Sequence, residues 1–524
     1  MGSARQHSGW LLVLLFTLVM SFSPALAQGD NIIHIVSNAD IRTSDPHIAY
    51  ETETWSTVGL FYRGLVEMET TDTVGPALAE SWTVSDDGLV YTFKLREGGK
   101  FANGTDITAE DVKYSFERMF DPNFPSPTAY FFEALVGVPE YRDGSADEIS
   151  GVKVIDSLTV ELTLQEPVWT FMQRLALAPG SIVSQEGVEA AGDDFGRQPA
   201  GAGPFMLESW EPGLRITAVR NPNYFKTGFP IVDGVTIDLL VEQSVGILRI
   251  DSGEADVAFD WTPSSEYPRI AADPALAARL VPSLAFPNID YIVFQHRRPP
   301  FDNLDVRTAL NMAINRDRLV QLLNGRAEVA SGPLPPSMPG NNADLQPLAY
   351  DPEGAKALLA QAGYPDGFTT TLLTNTDATN LQIAQAVISD WQAIGVTTEF
   401  TSIDNAQFLD TLINQPESFD TAMTNWYHDY LDPSNTFEPL LKCGGSYNWG
   451  GYCNQDLEAA FATANATPPG DARWAAFSDF EAQIFEQMPN AFLYHLSNYY
   501  YRSERLHIEA DPAYLLKFDS ATVQ

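Results

Sequence analysis

Two spacings of apolar residues alternate along the chain and predict which segments are strands and which are helices. In VYTFKL, residues 90–95, apolar side chains alternate with polar ones, which is the period of a half-buried strand. The segment VKVIDSLTVELTL predicts a hairpin, with Asp156-Ser157 as its turn. Thr108, followed three residues later by Asp111, predicts the start of a helix whose apolar side chains share one face.

The second half of the chain alternates in the same way. FTTTLLT, NLQIAQAVISDWQAIG and VTTEFTSI, between residues 368 and 403, predict a strand, a helix and a second strand parallel to the first. Asp305 is predicted to cap the helix VRTALNMAI, and TWSTVGLFYRGLVEM has helical spacing as far as Leu65. NAFLYHLSNYYYR is predicted to be one returning strand. Helices and strands thus alternate in both halves, which predicts an α/β protein with two lobes and a cleft between them.

The N-terminal segment has the pattern of a secretory signal peptide. Arg5 and His7 precede the apolar run WLLVLLFTLVM, and Ala25-Leu26-Ala27 provides the small residues of a cleavage site. Residues 1–27 are therefore predicted to be removed, and the mature chain to be soluble outside the cytoplasm. No cysteine lies near the cleavage point, so a lipoprotein is not expected. The alternative is a retained N-terminal anchor.

Charge narrows the possible partners. The chain has 69 acidic and 30 basic side chains, for a formal net charge of −39. Nucleic acids and anionic membranes are bound by clustered Lys and Arg, so neither is expected as a partner. The charge does not identify the ligand, because an acidic surface also serves solubility.

The stretch NWYHDYLDPSNTFEPLLKCGGSYNWGGYC, residues 425–453, contains the densest candidate chemistry. Aromatic side chains next to Gly and Pro favour irregular backbone that lines a small-molecule pocket. Asp429 and Asp432 lie among them, and a carboxylate walled by aromatic rings suits a ligand with a cationic amine. The alternative is that the aromatic residues are core and that Asp432-Pro433 only starts a helix.

Two cysteines in an exported protein are expected to be paired. Cys443 and Cys453 would close a small loop that holds Tyr447, Asn448 and Trp449 stiffly. The alternative is two buried free thiols. No histidine nearby completes a metal-ligand set, so no metal is expected.

Motifs for catalysis are missing from the sequence. There is no G-x-S-x-G, no H-E-x-x-H and no phosphate-binding loop, and Gly201-Ala202-Gly203 lacks the third glycine of a dinucleotide fingerprint. We therefore predict no enzyme, no catalytic residue and no cofactor. A secreted hydrolase with an unmarked active site is the distant alternative.

Several blocks together resemble one family. LAESWTVSDDGLVYTFKLREGGKFANGTDITAEDVKYSFERMFDP resembles the signature of family 5 bacterial solute-binding proteins, the extracellular receptors of ABC importers for peptides and nickel. GAGPFMLESWEPGLRITAVRNPNYF, PPFDNLDVRTALNMAINRDRLVQLLNG and YDPEGAKALLAQAGYPDG continue the resemblance in the family's order. The blocks span nearly the whole mature chain.

The resemblance implies a two-lobed periplasmic-binding-protein fold of type II-like α/β architecture with an extra subdomain. A hinge would join the lobes and let the cleft close on its ligand. Lobe I would be discontinuous, with residues 28–65, 200–285 and 495–524. The inserted subdomain would cover 66–199, and lobe II would cover 286–494.

The resemblance also implies ligand residues. In peptide-binding members an Asp after a Trp in this late stretch meets the peptide's α-ammonium, which assigns that role to Asp429. The predicted ligand-binding set is Asp429, Trp426, Tyr427, His428, Tyr447, Asn448, Trp449, Tyr50, Thr52 and Arg326. Arg326 would meet a peptide carboxylate, or else interact with a helix dipole. His428 would contact ligand or serve as a structural hydrogen bonder.

The expected function is that of a monomeric periplasmic receptor. It would capture a short peptide, close, and deliver it to the permease subunits of an ABC importer in the inner membrane. The same family binds nickel complexes, opines, oligosaccharides and haem, so a non-peptide solute is the alternative. Asp429 favours an amine-bearing ligand, whereas Trp426 and Trp449 leave a stacked sugar open.

Overall fold

The computed structural model describes residues 31–524, apart from positions 51, 72, 125, 284–286 and 514, and without the side chains of residues 52, 53 and 406. The predicted signal peptide lies outside the described residues. Three main β-sheets and the helices packed on them form the described part, which is one compact unit. The predicted α/β class is therefore confirmed.

A five-stranded sheet is built from distant parts of the chain. Three of its strands are parallel, and the helix Gln243–Ser252 connects two of them in β-α-β order. The other two add antiparallel at one edge. In spatial order the strands are Val257–Ala258, Ile32–Val36, Gly234–Asp238, Arg215–Arg220 and Phe205–Glu211.

A six-stranded sheet forms the centre of the second half. Its spatial order is Ala327–Val329, Asn490–Leu496, Asn288–Phe294, Thr421–Tyr427, Thr369–Asn375 and Thr397–Ile403. The last two strands pair in parallel, as the sequence predicts. Buried apolar side chains cover both faces of this sheet. Its strands are therefore held rigidly from both sides, which matters for the residues that follow their ends.

A four-stranded antiparallel sheet carries the predicted hairpin and the predicted strand 90–95. Its strands are Ala79–Val84, Val90–Leu95, Thr159–Thr163 and Val152–Asp156. Four short two-stranded ladders pair Val66–Met68 with Val74–Pro76, Leu280–Pro282 with Tyr499–Tyr501, Leu506–His507 with Thr522–Val523, and Ala510–Asp511 with Leu515–Leu516.

The helices pack on these sheets. The α-helices are Thr52–Phe61, Ala109–Phe120, Val138–Arg142, Phe171–Ala176, Gln185–Ala191, Gln243–Ser252, Tyr267–Ala272, Pro274–Ala277, Leu304–Met312, Arg316–Leu322, Pro352–Gln361, Ala378–Ala393, Asn405–Asn414, Ser434–Leu440, Gln455–Ala466 and Asp471–Glu486. The 3-10 helices are Ala129–Phe132, Ala178–Gly180, Gly192–Arg197 and Pro416–Ser418.

The chain passes between the five-stranded and six-stranded sheets twice, close to one point. The first passage follows Leu280–Pro282 and the second runs through Ser497-Asn498. The strands Leu280–Pro282 and Tyr499–Tyr501 pair with each other beside these passages. Two neighbouring connections of this kind are the usual structure of a hinge.

Three predicted elements differ in detail. The helix that begins at Thr52 ends at Phe61 rather than continuing to Leu65, because the following backbone bonds elsewhere: the Ile182 N–H donates to the Arg63 carbonyl at 3.0 Å. The predicted single strand 490–502 breaks at Ser497-Asn498, where the chain crosses to another sheet.

The predicted cap Asp305 is also wrong. Asn303 caps this helix, and its Oδ1 accepts the Asp305 N–H at 2.9 Å. Asn and Asp are both good cap residues, so the choice between them depends on the incoming backbone direction.

Candidate ligand-binding site

The strand Thr421–Tyr427 leads directly into the candidate site. It is a central strand of the six-stranded sheet, paired on both sides. At its end the His428 N–H donates to the Pro287 carbonyl at 2.8 Å, and the Asp429 N–H donates to Asn435 Oδ1 at 3.0 Å. These bonds turn the chain out of the sheet and fix where Asp429 lies.

The Asp429 carboxylate has neutral partners. Its Oδ2 accepts from Asn435 Nδ2 at 3.1 Å and from the Tyr130 hydroxyl at 3.3 Å. Burial raises the pKa of Asp429 to about 6, against the two hydrogen bonds and the positive charge of Arg174, which lower it. Within the described residues, no lysine or arginine forms an ion pair with Asp429.

A chain of tyrosine hydroxyls extends from this carboxylate. Tyr130 lies 3.4 Å from Tyr50, and Tyr447 donates to Tyr50 at 3.2 Å. Tyr50 and Tyr130 precede the first passage between the sheets. Asp429 and Tyr447 lie in the half of the chain that forms the six-stranded sheet. The structure therefore brings predicted residues Tyr50, Tyr447 and Asp429 together from both sides.

Aromatic rings surround Tyr447. Its ring centroid lies 5.0 Å from that of Trp426 and 5.7 Å from that of Trp449. Both tryptophans are 7% exposed, and both indole N–H groups are buried without a hydrogen-bond partner. The predicted walls are thus mostly core residues with one edge near the site, and their two unused donors are groups that a ligand or water can satisfy.

The structure joins Cys443 and Cys453 in a disulfide. Inside this loop Asn448 Nδ2 donates to the carbonyls of Lys442 and Tyr452 at 2.8 and 2.6 Å, and Oδ1 accepts the Tyr452 N–H at 3.0 Å. Asn448 therefore ties the loop together, and the side chain that the loop presents to Asp429's surroundings is Tyr447.

His428 is buried, with both ring nitrogens engaged. Nδ1 is bonded to the Pro287 carbonyl and Nε2 to Thr436 Oγ1. Burial lowers the pKa of His428 to about 4, so the ring is neutral at pH 7. This arrangement anchors the turn that carries Asp429 and leaves neither ring nitrogen free for a ligand.

Arg326 lies where the chain crosses between the sheets. Its guanidinium donates to Ser264 Oγ at 3.0 Å and to Asn498 Oδ1 at 3.2 Å, and it lies over the ring of Tyr267 at 5.8 Å. It is 4% exposed, and its Nε has no hydrogen-bond partner. Among the described residues, no carboxylate forms an ion pair with Arg326.

Tyr427 lies near the same crossing. Its ring packs on Trp261 with centroids 5.1 Å apart, and its hydroxyl bonds to Asn498. The predicted residue Thr52 begins the first helix, but its side chain lies outside the described part. The predicted set thus divides into one group around Asp429 and another around Arg326.

Sequence reasoning missed Tyr130 and Arg174. Arg174 donates to the Tyr430 hydroxyl at 2.9 Å and lies 3.9 Å from Glu438. Tyr130 stands in the aromatic run AYFF, whose composition indicates core rather than a site. Nothing in their spacing signals a role, because their partners lie about 250 to 300 residues away.

Two features are absent from the described range. No group of three or more His, Cys, Asp or Glu side chains there is arranged to hold a metal ion. No helix of that range is both long and apolar enough to span a membrane.

Known proteins are similar to this chain in sequence and in fold. The sequence profile of the bacterial extracellular solute-binding proteins, family 5 Middle, matches residues 73–448. The glutathione-binding protein GsiB of Salmonella typhimurium is 30% identical over 494 residues, which cover 92% of this chain and 91% of GsiB. The chain belongs to family 5 of the bacterial extracellular solute-binding proteins.

Other proteins that are similar to this chain differ in what they are named for. The heme-binding protein A of Haemophilus influenzae is 30% identical over 452 residues, 82% of this chain and 80% of that protein. The periplasmic binding protein DppA of Helicobacter pylori, solved with the peptide STSA, superposes with a TM-score of 0.80 at 24% identity. The superposition covers 94% of this chain and 98% of DppA.

These comparisons confirm the predicted family and its two-lobed fold. The solute-binding role and the location outside the cytoplasm follow from the family. The lobe boundaries, the cleavage point near Ala27, the absence of a lipid anchor, the monomeric state and the ligand residues stay predictions.

Proposed function

We propose that this family 5 protein is the periplasmic receptor of an ABC importer and that it captures a short peptide whose α-ammonium group binds Asp429. The observation that carries the proposal is the state of that carboxylate. Asp429 is partly buried, and only neutral donors contact it, although a buried carboxylate is stabilised best by a cation. A ligand ammonium would supply that cation.

Closure of the cleft would complete the ammonium site. Tyr130 and Tyr50 face Asp429 and Tyr447 from the other side of the cleft, and hydroxyl oxygens can accept hydrogen bonds from an ammonium group. An ammonium that replaces the hydrogen bond between Tyr130 and Asp429 would bond to both sides at once. The bound ligand would then favour the closed conformation, which is the form that a permease has to recognise.

Arg326 is suited to the other end of a peptide. Its guanidinium is buried, bonds only to neutral oxygens and has one free N–H. A ligand carboxylate would form charge-assisted hydrogen bonds to it, which are stronger than the present neutral ones. This role for Arg326 is part of the proposal.

The relatives support an amine-bearing ligand without deciding its identity. Glutathione, for which GsiB is named, is a tripeptide with a free amino group, and DppA was solved with a tetrapeptide. The second candidate is the same receptor role for a non-peptide solute such as an oligosaccharide, an opine or a nickel complex. The observation in its favour is the pair of unsatisfied indole N–H groups of Trp426 and Trp449, since sugars stack on indole rings and bond to them.

Native mass spectrometry of the protein purified from its export compartment tests the proposal. The bound molecule is released by unfolding and identified by fragmentation. A set of short peptides with free N-termini is the expected result. A single sugar, opine or metal complex would overturn the peptide assignment and leave the receptor role.

If the protein is purified empty, a defined mixture replaces the natural ligand. Dialanine, trialanine and tetraalanine are offered in equimolar amounts together with their N-acetylated forms, which lack the ammonium group. Binding of the free forms alone supports the proposal, and binding of neither series overturns it.

A further inference from the structure

Asp290 is a second carboxylate of the six-stranded sheet whose state requires explanation. It lies in the central strand Asn288–Phe294 and is 6% exposed. Cross-strand register places it opposite Asn425 on one side and Tyr494 on the other. Residues directly opposite share a face of the sheet, and Tyr427, two residues beyond Asn425, lies on that face too.

Only one of the two Asp290 oxygens has a partner. Tyr494 donates a hydrogen bond to the carboxyl group, while Oδ2 is buried and without a hydrogen bond. The charged group that faces it is another acid, Asp377, the exposed cap of the helix Ala378–Ala393. The hydroxyls of Tyr494, Tyr427 and Tyr291 are the other titratable groups that interact with it.

This state is unusual within the same protein. Of the six other aspartates that are between 1% and 7% exposed, five lie against a basic side chain, and the sixth, Asp260, accepts the Asn38 N–H. The pairs are Asp45 with Arg118, Asp256 with Arg505, Asp390 with Arg318, Asp432 with Arg473, and Asp519 with Lys226. Each pair compensates for the loss of hydration of the buried charge. Asp290 has the same burial but, among the described residues, no such cation.

The aromatic neighbour of Asp290 contacts the other half of the molecule. Tyr427, its neighbour on the same face, packs its ring on Trp261, which belongs to the part of the chain before the first passage between the sheets. The indole N–H of Trp261 is likewise buried without a partner. Asp290 Oδ2 and the Trp261 N–H are thus two unpaired polar atoms, an acceptor from one half of the molecule and a donor from the other, and Tyr427 interacts with both residues.

Sheet topology places this group where ligands of such folds bind. Tyr427 ends its strand, and Asp377 follows the end of the parallel strand Thr369–Asn375. In open α/β sheets the crevice beyond the carboxyl ends of parallel strands is the usual binding position. Asp290 lies beside this end of the sheet, in the strand Asn288–Phe294, which pairs with Thr421–Tyr427.

From these observations we propose that Asp290 forms an acidic subsite of the cleft that takes the positively charged side chain of a Lys or Arg residue in the peptide ligand. The inference rests on the proposed peptide-receptor function and extends it to a substrate class. The ligand's α-ammonium binds Asp429, its basic side chain reaches Asp290, and the guanidinium or ammonium of that side chain donates to Oδ2. The ring of Tyr427 packs against the apolar stem of the same side chain.

A structural alternative makes a different prediction. Burial raises the pKa of Asp290 to about 8, so in the free protein at pH 7 the carboxyl is mostly protonated and needs no cation for stability. If protonation is all that this site requires, basic and neutral peptides bind alike. If the subsite takes a cation, binding converts the group to its carboxylate and releases a proton at pH 7.

The test compares peptides that differ in one charge. Ligand-free wild-type protein is offered an equimolar mixture of Ala-Arg, Ala-Arg-Ala and Ala-Ala-Arg with the same peptides carrying citrulline, the neutral isostere of arginine. Bound peptides are quantified by mass spectrometry. Isothermal titration in buffers of different ionisation enthalpy then counts the protons released by each preferred peptide and its citrulline partner.

We expect wild type to prefer arginine over citrulline peptides by about tenfold or more, as for a buried charge-assisted hydrogen bond, and to release more protons with them. The Asp290→Asn variant should reduce the preference to about twofold while it still binds the citrulline peptides. Equal binding of both series by wild type overturns the inference and leaves the proposed function intact. Binding of no peptide at all overturns both. Because the arginine-to-citrulline ratio is measured on wild type, the inference stays testable even if the variant does not fold.

Discussion

Asp429 and Asp432 are three residues apart in the same turn, yet the protein uses them in opposite ways. Asp432 is 3% exposed and receives two hydrogen bonds from Arg473, at 2.8 and 2.9 Å. Asp429 is bonded by an amide and a phenol only. One carboxylate has its cation inside the fold, and the other has none. On the proposed function, the counter-charge that Asp429 lacks is supplied by the ligand, whereas the counter-charge of Asp432 is part of the fold.

The largest effect is expected from removing the ion pair between Asp432 and Arg473. Asp432→Ala leaves Arg473 buried without its carboxylate, so we expect the free energy of unfolding to fall by about 3–5 kcal/mol. Chemical denaturation of the ligand-free protein measures it. The matched control is Asp429→Ala, which should change stability much less. A loss below about 1 kcal/mol for Asp432→Ala would show that Asp432 is not the structural member of the two.

The second test removes the proposed anchor. Asp429→Asn keeps the size of the side chain and loses its charge. The binding free energy for the peptide found in the native protein should therefore weaken by about 2–5 kcal/mol. Titration calorimetry measures the dissociation constant, and the melting temperature without ligand serves as the control for folding. Undiminished affinity would remove Asp429 from the site.

The disulfide-closed loop that carries Tyr447 can be made less rigid without changing either aspartate. The disulfide between Cys443 and Cys453 closes a loop with a sequence separation of 10. Replacing both cysteines by serine should reduce stability by about 2–3 kcal/mol through the entropy of the unfolded chain. Denaturation of the double variant, compared with wild type under oxidising and reducing conditions, checks this. The stability of reduced wild type should approach that of the variant. Equal stability of wild type and variant under oxidising conditions would contradict the prediction.

The smallest expected effect is on pH dependence. The pKa of Asp429 in the free protein is about 6, above the ordinary value of 3.8. An ammonium binds the carboxylate form, so affinity should be full above pH 6 and fall by up to about tenfold per pH unit below it. Dialanine is the probe, because its side chains do not engage Asp290. The Asp429→Asn variant should give a flat profile between pH 5 and 7, and a flat profile in wild type would contradict the assignment.

Local sequence was a good guide where the contacts that decide the structure are close in the chain. The helix start predicted from Thr108 and Asp111 is present as a capping box. Their hydrogen bonds join residues three apart, so neighbours alone determine them. The helix predicted as far as Leu65 failed because its last turn competes with the segment near Ile182, more than a hundred residues away.

The site was less predictable than the fold. Family resemblance directed attention to Asp429, but Tyr130, its hydrogen-bond partner, lies 299 residues earlier and has no sequence signal. Asn448 was expected to contact ligand, and His428 either to contact ligand or to be a structural hydrogen bonder. The structure gives both side chains internal hydrogen bonds. Only the positions of Pro287, Thr436 and Tyr452 could reveal this.

By itself, the sequence determined the α/β alternation, the family and the turn from which the proposed anchor projects. Hydrophobic period and caps depend on neighbours along the chain, and family blocks depend on residue order. The tertiary structure alone decided which buried acids have a cation. Arg473 reaches Asp432 from 41 residues away, and no cation of the described chain pairs with Asp429 or Asp290. Whether a charge is compensated is a property of distances in space, which the order of residues does not contain.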